Sequence, residues 1–483
     1  MTKELTFTVK ERTRILDLLR KKNIETDACC GGNGSCGKCR VKVLDGSFTD
    51  AAGRPLEPDA NSEIRACRAY AVGKFTVEVK AAESFSETPS FAAPHDFDLA
   101  LDVGTTTLCF AFTDNNGQVL RELSVLNPQR IYGADVISRI SAGPEAHKKM
   151  RELLFDIIIK VIGDSRVNRL YVTGNTAMLH IFAGVSPESL GIYPFRPVFT
   201  GMPEASGREF GLPCEKILLL PSASAYIGAD IVGGIYETGL SNYNGSALLA
   251  DLGTNGELIL ASGGRLYGTS AAAGPALEGG EISCGTGGIP GAVCGFENGG
   301  YRTIDNAAPI GICGSGLIDI MAQLITTGAV DGSGFMEDSF ELRGIHRDNT
   351  GKALSLASTG LFLSPGDIRA FQLAKGAISA AIECLIDDGR LSQNSLDCFF
   401  IAGGLGRFIN HGNAFRTGLF PQALREVRCT AVGNTALASA VSALRDPSVI
   451  ASLEEISRSI INIELNSLPS FSDRFISNLG FKT

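Results

Sequence analysis

Leu5, Phe7 and Val9 alternate with polar residues, and Phe75, Val77 and Val79 do so again, the period-two signature of strands with one buried face. Between them Ile15, Leu16, Leu18 and Leu19 share one face of a short helix, and Arg40–Leu44 reads as a further strand. These elements predict a small α+β unit of the β-grasp type over residues 1–84. Residues 85–97 lack any period and carry Pro89 and Pro94, which predicts a short, extended linker.

Beyond the linker the pattern repeats itself. Leu99-Ala-Leu-Asp102-Val-Gly104-Thr105-Thr106-Thr107 is echoed by Leu249-Ala-Asp251-Leu-Gly253-Thr254-Asn255-Gly256. Each reads as a buried strand, an acidic residue, a Gly-Thr turn and a returning strand. Leu170-Tyr-Val-Thr-Gly174-Asn175 is matched in turn by Phe399-Phe-Ile-Ala-Gly403-Gly404, a buried strand ending in a glycine turn. Two pairs in the same order predict a duplication, with α/β halves at 98–245 and 246–445. The second half carries an insertion, because its paired motifs lie 152 residues apart against 72 in the first. Two helices support the α/β reading. Ser364-Pro-Gly-Asp367 predicts a capped start, followed by the stripe Phe371, Ala374, Ile378, Ile382 and Leu385 and a stop at Gly389. Ser315 precedes Leu317, Ile318, Met321, Leu324 and Ile325, ending at Gly328. Both stripes are core-facing. Residues 446–483 form a polar–apolar tail to which the pattern assigns no role.

A chain of 483 residues exceeds one core, and predicts two to four domains. A net charge of −9 argues against a nucleic-acid binder. The charge is uneven: residues 1–84 hold 15 Lys+Arg against 12 Asp+Glu, and residues 85–483 hold 28 against 40. There is no secretion signal and no run of about 18 apolar residues, so no membrane association is expected. The 13 cysteines then read as reduced thiols and metal ligands in a cytoplasmic protein.

Four of those cysteines carry a specific signal. Cys30, Cys36 and Cys39 sit in one glycine-rich loop at C-x5-C-x2-C spacing, and Cys67 follows 28 residues later on what reads as a strand. This is how a [2Fe–2S] cluster is held, each iron needing two sulfur ligands; the loop is one residue longer than the plant type and resembles the adrenodoxin branch. A structural zinc loop is the alternative, although zinc sites usually show two CxxC pairs and here there is one. Cys29 adjoins Cys30, and the spacing favours Cys30 as ligand. Cys284, Cys294 and Cys313 read as small buried residues.

The repeated hairpins have a phosphate chemistry. In each, a glycine (Gly104, Gly253) lets the backbone approach phosphate oxygens, and neighbouring N–H and side-chain groups (Thr105, Thr106; Thr254, Asn255) donate to them. Asp102 and Asp251 are the catalytic candidates, holding Mg²⁺ or orienting a water. Two facing hairpins can clamp a triphosphate from both sides. Gly403, Gly404 and Gly406 form a further turn suited to a nucleoside.

In these motifs the chain resembles the actin, sugar-kinase and heat-shock-chaperone ATPases. The resemblance implies a duplicated α/β actin-like (ribonuclease H-like) fold and an adenosine motif at Ala402–Gly406. The runs Gly174-Asn-Thr-Ala-Met178, Ala273-Gly-Pro-Ala-Leu-Glu278-Gly-Gly280, Ile310-Gly-Ile-Cys-Gly-Ser-Gly316 and Ile401-Ala-Gly-Gly-Leu-Gly-Arg407 are similar to those of reductive activators of corrinoid proteins. In that family a ferredoxin-type [2Fe–2S] domain is fused to this ATPase fold. Membership implies ATP and Mg²⁺ as ligands, a corrinoid protein of a methyltransferase system as partner, an upstream low-potential electron donor, and leaves room for a homodimer. The implied reaction is reduction of Co(II) corrinoid to Co(I). A cluster near about −400 mV lies above that couple, and each ~100 mV uphill costs ~2.3 kcal/mol, which nucleotide turnover can offset. The family usually carries a middle domain after the cluster domain, whereas only about a dozen linker residues are expected here. Ser283–Pro290 also lacks the arginine of the family's Cys-Gly-Met-Arg-Ala-like run. Alternative readings are an electron carrier or redox sensor with a non-catalytic actin-like body, and a small-molecule kinase with a regulatory cluster.

Overall fold

A computed structural model of the chain describes residues 2–22, 24, 26, 32, 34, 39–80, 96–253, 255–338, 340, 342–347, 353–388, 391, 396–406 and 408–481. The chain divides into two compact units, residues 1–94 with 127–165 and residues 95–126 with 166–483. The boundaries expected from the pattern follow the chain linearly, whereas this division places residues 127–165 with the first unit.

In the first unit the strands β1 (Thr2–Arg14), β2 (Arg40–Asp45), β3 (Glu63–Arg65) and β4 (Tyr70–Lys80) form a sheet in the order β1-β4-β2-β3. The alternation seen in the sequence sets its register: Leu5 faces Val77 and Phe7 faces Phe75, the two rings stacked at 5.3 Å. The helix Ile15–Lys21 lays Ile15, Leu16 and Leu19, all fully buried, into the same core as Phe75 and Val77. Each such side chain contributes roughly 1.5–3 kcal/mol relative to exposure. Cys67 departs from expectation. It lies in a turn after β3, because the N–H groups of Arg68 and Ala69 fold back on the carbonyl of Arg65 instead of entering a ladder. Within this unit Arg20 donates to the carbonyl of Ile131 at 2.9 Å and covers the ring of Tyr132.

The second unit contains two sheets built to one plan. The first uses β5 (Asp96–Val103), β6 (Thr107–Thr113), β7 (Val119–Leu126), β8 (Arg166–Gly174), β9 (Met202–Ser206) and β10 (Cys214–Leu219) in the order β7-β6-β5-β8-β10-β9. After β11 (Ala247–Leu252), β12 (Gly256–Ser262) and β13 (Arg265–Ala271) comes an insertion with β14 (Ala292–Glu297), β15 (Gly300–Thr303), β16 (Gly311–Ile312), β17 (Ile345–Arg347), β18 (Leu354–Leu356) and β19 (Phe362–Leu363). The second large sheet is completed by β20 (Cys398–Ala402), β21 (Arg428–Gly433) and β22 (Ile460–Asn462), in the order β21-β20-β11-β12-β13-β22. In both, the first three strands run antiparallel as a meander, and two further strands add parallel on the open side of the first, β8 then β10 in one sheet and β20 then β21 in the other. The duplication is therefore structural. The antiparallel Gly-Thr hairpins β5–β6 and β11–β12 occupy equivalent places at its centre.

Helix Pro365–Asp388 begins as expected: the Ser364 hydroxyl accepts from Asp367 N, and the Asp367 carboxylate accepts from Ser364 N at 2.7 Å. Its stripe Phe371, Ala374, Ile378, Ile382 and Leu385 is fully buried. Helix Gly314–Thr326 buries Leu317, Ile318, Met321 and Leu324. The tail proves to be part of the second half. β22 pairs parallel to β13, helix Pro469–Ser477 packs on Pro365–Asp388, and Phe481 stacks on Phe371 while the buried Lys375 donates to the Gly480 carbonyl.

Two helices in equivalent positions, Ala229–Glu237 after β10 and Thr435–Arg445 after β21, pack on each other. Glycine makes the contact close: a Cβ at Gly233 would sit 2.1 Å from Ser439 Oγ.

Candidate active site

Asp102 and Asp251 stand one residue from the C-terminal ends of β5 and β11, the central strands of the two sheets. The fold makes room for both hairpins with glycine. A Cβ at Gly104 would lie 2.6 Å from the Thr107 carbonyl, and one at Gly403, where φ is +83°, would lie 2.4 Å from Asp251 Oδ1. Gly403, Gly404 and Gly406 thus sit in a short helical turn leaving β20, with Gly403 directly against the Asp251 carboxylate. The two hairpins are brought together. Thr106 Oγ1 of the first donates to Glu278 Oε2 at 2.8 Å, and the place a Gly253 Cβ would take in the second is 3.3 Å from Glu278 Oε1. Thr105 is buried. Thr254 lies outside the described residues, as does Arg407.

Three further groups complete the site. Asp230 enters on the first turn of helix Ala229–Glu237, where a Cβ at Gly228 would be 2.5 Å from both Asp230 Oδ1 and the Asn175 Cα. Glu257 faces Asp251 across the β11–β12 ladder. Asn434 donates from Nδ2 to Asp102 Oδ2 at 2.9 Å. The repeat does not mark these residues. A trace exists for Asn434, because Gly433-Asn-Thr-Ala436 repeats Gly174-Asn-Thr-Ala177 and both asparagines cap a helix.

The carboxylates act on one another. Burial pushes Asp102 up to about 7, with the Asn434 amide opposing and the charge of Asp251 adding to the rise. Burial and the charges of Asp230 and Glu278 push Asp251 up to about 7. Asp230 is raised by burial and by Asp102, and Glu257 by burial, Asp230 and Asp251. Among the described residues no lysine or arginine forms an ion pair with Asp102, Asp230, Asp251 or Glu257. Such a concentration of negative charge favours a cation, and hard oxygen donors suit Mg²⁺. Among the described residues no three His, Cys, Asp or Glu side chains converge to hold a metal by themselves. The oxygen donors present would suit Mg²⁺ with one or two of these carboxylates beside it.

A stability test follows. Native values near 7 lie above the ordinary 3.8, so the native state binds more protons than the unfolded chain between those limits. The contribution of these groups is fully favourable below about 3.8 and is lost as pH rises through about 7. Nucleotide-free protein is expected to melt lower at pH 8 than at pH 6, and Asp230→Asn to flatten that slope. A melting temperature equally pH-dependent in wild type and variant would refute the mutual repulsion.

The cysteine site is described in part. Cys39 and Cys67 are both buried, and Cys67 N donates to Cys39 Sγ at 3.5 Å. Arg14 and Arg68 reach the carbonyls of Gly32 and Gly34, whose φ values of +92° and +87° call for glycine. Cys30, Cys36 and Cys29 lie outside the described residues. Two buried cysteines, the backbone N–H of one directed at the sulfur of the other, fit cluster ligands.

Three family profiles match successive stretches of the chain. The profile of a 2Fe-2S iron-sulfur cluster binding domain matches residues 1–72. That of the RACo middle region matches residues 97–243, and that of the C-terminal domain of RACo, the ASKHA domain, matches residues 245–483. The middle domain expected to be missing is thus matched by the first half of the repeat. The "Corrinoid activation enzyme RamQ" of Eubacterium limosum is 30% identical over 419 residues, covering 80% of this chain and 70% of that one. The "[Co(II) methylated amine-specific corrinoid protein] reductase" of Methanosarcina barkeri is 26% identical over 440 residues, covering 80% and 77%. A solved "Reductive activator for corrinoid,iron-sulfur protein" superposes with a TM-score of 0.74 at 25% identity, over 98% of this chain and 96% of that one.

Proposed function

The chain belongs to the family of reductive activators of corrinoid proteins, and on that premise we propose that it couples ATP hydrolysis to reduction of a protein-bound Co(II) corrinoid to Co(I). One observation carries the reading. A domain with two buried cysteines in contact, Cys39 and Cys67, is joined in one chain to a duplicated body whose central hairpins carry Asp102 and Asp251 close enough for the charge of one to raise the other. The relatives' names supply a corrinoid protein as the acceptor, and the reading takes it to belong to a methyltransferase system.

Cys30, Cys36, Cys39 and Cys67 hold the [2Fe–2S] cluster, which when bound supplies one electron at low potential. Gly104, Thr105, Thr106, Gly253, Thr254 and Asn255 donate to the phosphates of ATP, and Gly403, Gly404 and Gly406 pass along its adenosine. Asp102 and Asp251 orient the attacking water and Mg²⁺, and Asp230, Glu257 and Glu278 concentrate the negative field that draws the ion in. The Thr106–Glu278 hydrogen bond links the two halves at the phosphates, so nucleotide there bears on both at once. ATP and water give ADP and phosphate, and the free energy favours the complex in which Co(II) accepts the electron. A low-potential donor re-reduces the protein after each turn. No helix among the described residues is long and apolar enough to cross a membrane, and we place the protein in the cytoplasm.

The test is the Co(I) absorbance band, followed without oxygen in a mixture of this protein, reductant and a Co(II) corrinoid protein. Reduction is expected only when ATP is added, and ATP turnover is expected to rise when the corrinoid protein is present. Reduction equally fast without ATP would overturn the reading in favour of a simple electron carrier.

A further inference from the structure

We infer that Asn434 is the positioning residue for Asp102, its amide holding the carboxylate in place across the body of the protein. The inference rests on the proposed ATP site and adds a residue to it. Asn434 is the N-cap of helix Thr435–Arg445, and its Oδ1 accepts from Leu437 N at 2.9 Å. Only the oxygen of an asparagine amide can accept that bond, so the cap decides which way the side chain faces. The NH₂ is thereby turned outward, and Nδ2 meets Asp102 Oδ2 at 2.9 Å, 332 residues away in the chain. Serine, threonine and aspartate cap helices as well as asparagine does. Asparagine combines the cap with an amide donor long enough to reach the carboxylate.

The cap itself is held rigidly. Ala440, Ala443 and Leu444 of its helix are buried, and the close approach of Gly233 to Ser439 and of Gly234 to Thr435 locks the helix against Ala229–Glu237. That second helix carries Asp230. The two packed helices thus present Asn434 and Asp230 from their first turns, and Asn434 gives Asp102 an anchor in a set of carboxylates that otherwise repel one another. An anchored carboxylate keeps its water or ion in line for attack, which acts on the chemical step more than on nucleotide binding.

The experiment measures ATP turnover, KM for ATP and melting temperature of the full chain as wild type, Asn434→Ser, Asn434→Asp and Asn434→Ala. Serine keeps the cap and falls short of Asp102; kcat is expected to drop about 10–100-fold with KM within about twofold and the melting temperature retained. Aspartate keeps the cap and opposes a carboxylate to a carboxylate, and kcat is expected to fall further. Alanine is expected to match serine in kcat and to melt lower. Wild-type kcat in Asn434→Ser would show that Asn434 serves only as a cap and would overturn the inference, leaving the ATP site standing. A wild-type protein that hydrolyses no ATP, alone or with a corrinoid protein, would instead overturn the nucleotide reading and this inference with it.

Discussion

Alanine at Asp251 or at Asp102 is expected to lower ATP turnover about 10³-fold, the loss that follows removal of a preorganised group acting at the transferring phosphate. The two positions are equivalent in the duplicated fold, yet their surroundings differ. Asp251 is packed against Gly403 and raised by burial and by the charges of Asp230 and Glu278, whereas Asp102 is held by Asn434. Above about pH 7, where both are charged among like charges, neither carboxylate stabilises the nucleotide-free fold. The variants are therefore expected to melt at or above the wild-type temperature in the absence of nucleotide while losing activity. That opposition separates a functional group from a structural one. Phosphate release and differential scanning measure the two sides, and wild-type turnover in both alanine variants would put the phosphate chemistry elsewhere.

The second large effect concerns the cysteines. Purified protein is expected to contain two irons and two sulfides per chain, and Cys67→Ser or Cys39→Ser to lose them together with the visible spectrum. Both side chains are buried within the core of the first unit, so no neighbouring cysteine among the described residues can replace them. Co(I) formation is expected to disappear in the same variants, while basal ATP hydrolysis, proposed to reside in the second unit, is expected to persist. Cys29→Ser is expected to keep the spectrum and Cys30→Ser to lose it; the reverse would move the ligand assignment by one residue. Retention of iron in Cys67→Ser would remove the cluster from this loop.

The parts of the molecule that could be read in advance are those whose information is local. Alternation in Leu5–Val9 and Phe75–Val79 specifies strands because a pleated backbone turns successive side chains to opposite faces. The reciprocal hydrogen bonds of Ser364 and Asp367 involve residues three apart, and the start of that helix was legible for this reason. The Asp-x-Gly-Thr hairpins were legible because the tight turn and the close backbone approach both require glycine at a set distance from the acid. Cys67 was misplaced on a strand for the complementary reason. Its neighbours Arg65 and Ile64 are strand residues, and the turn that follows is closed by bonds to the Arg65 carbonyl that no periodicity announces.

The same boundary separates what sequence by itself determined from what tertiary structure decided. A repeated acidic hairpin, a cysteine spacing and an apolar stripe each concern residues within one element or one loop, and their physics is complete there. Glu278 meeting Thr106, Asn434 meeting Asp102 and the charge of Asp230 bearing on both aspartates depend on which strands are central in two separate sheets and on how two glycine-containing helices pack. The tail likewise acquired a place only when β22 found the open edge of β13 and Phe481 reached Phe371. These interactions join residues tens to hundreds of positions apart, and it is the burial of the two sheets against their helices, not any local preference, that brings them within reach of one another.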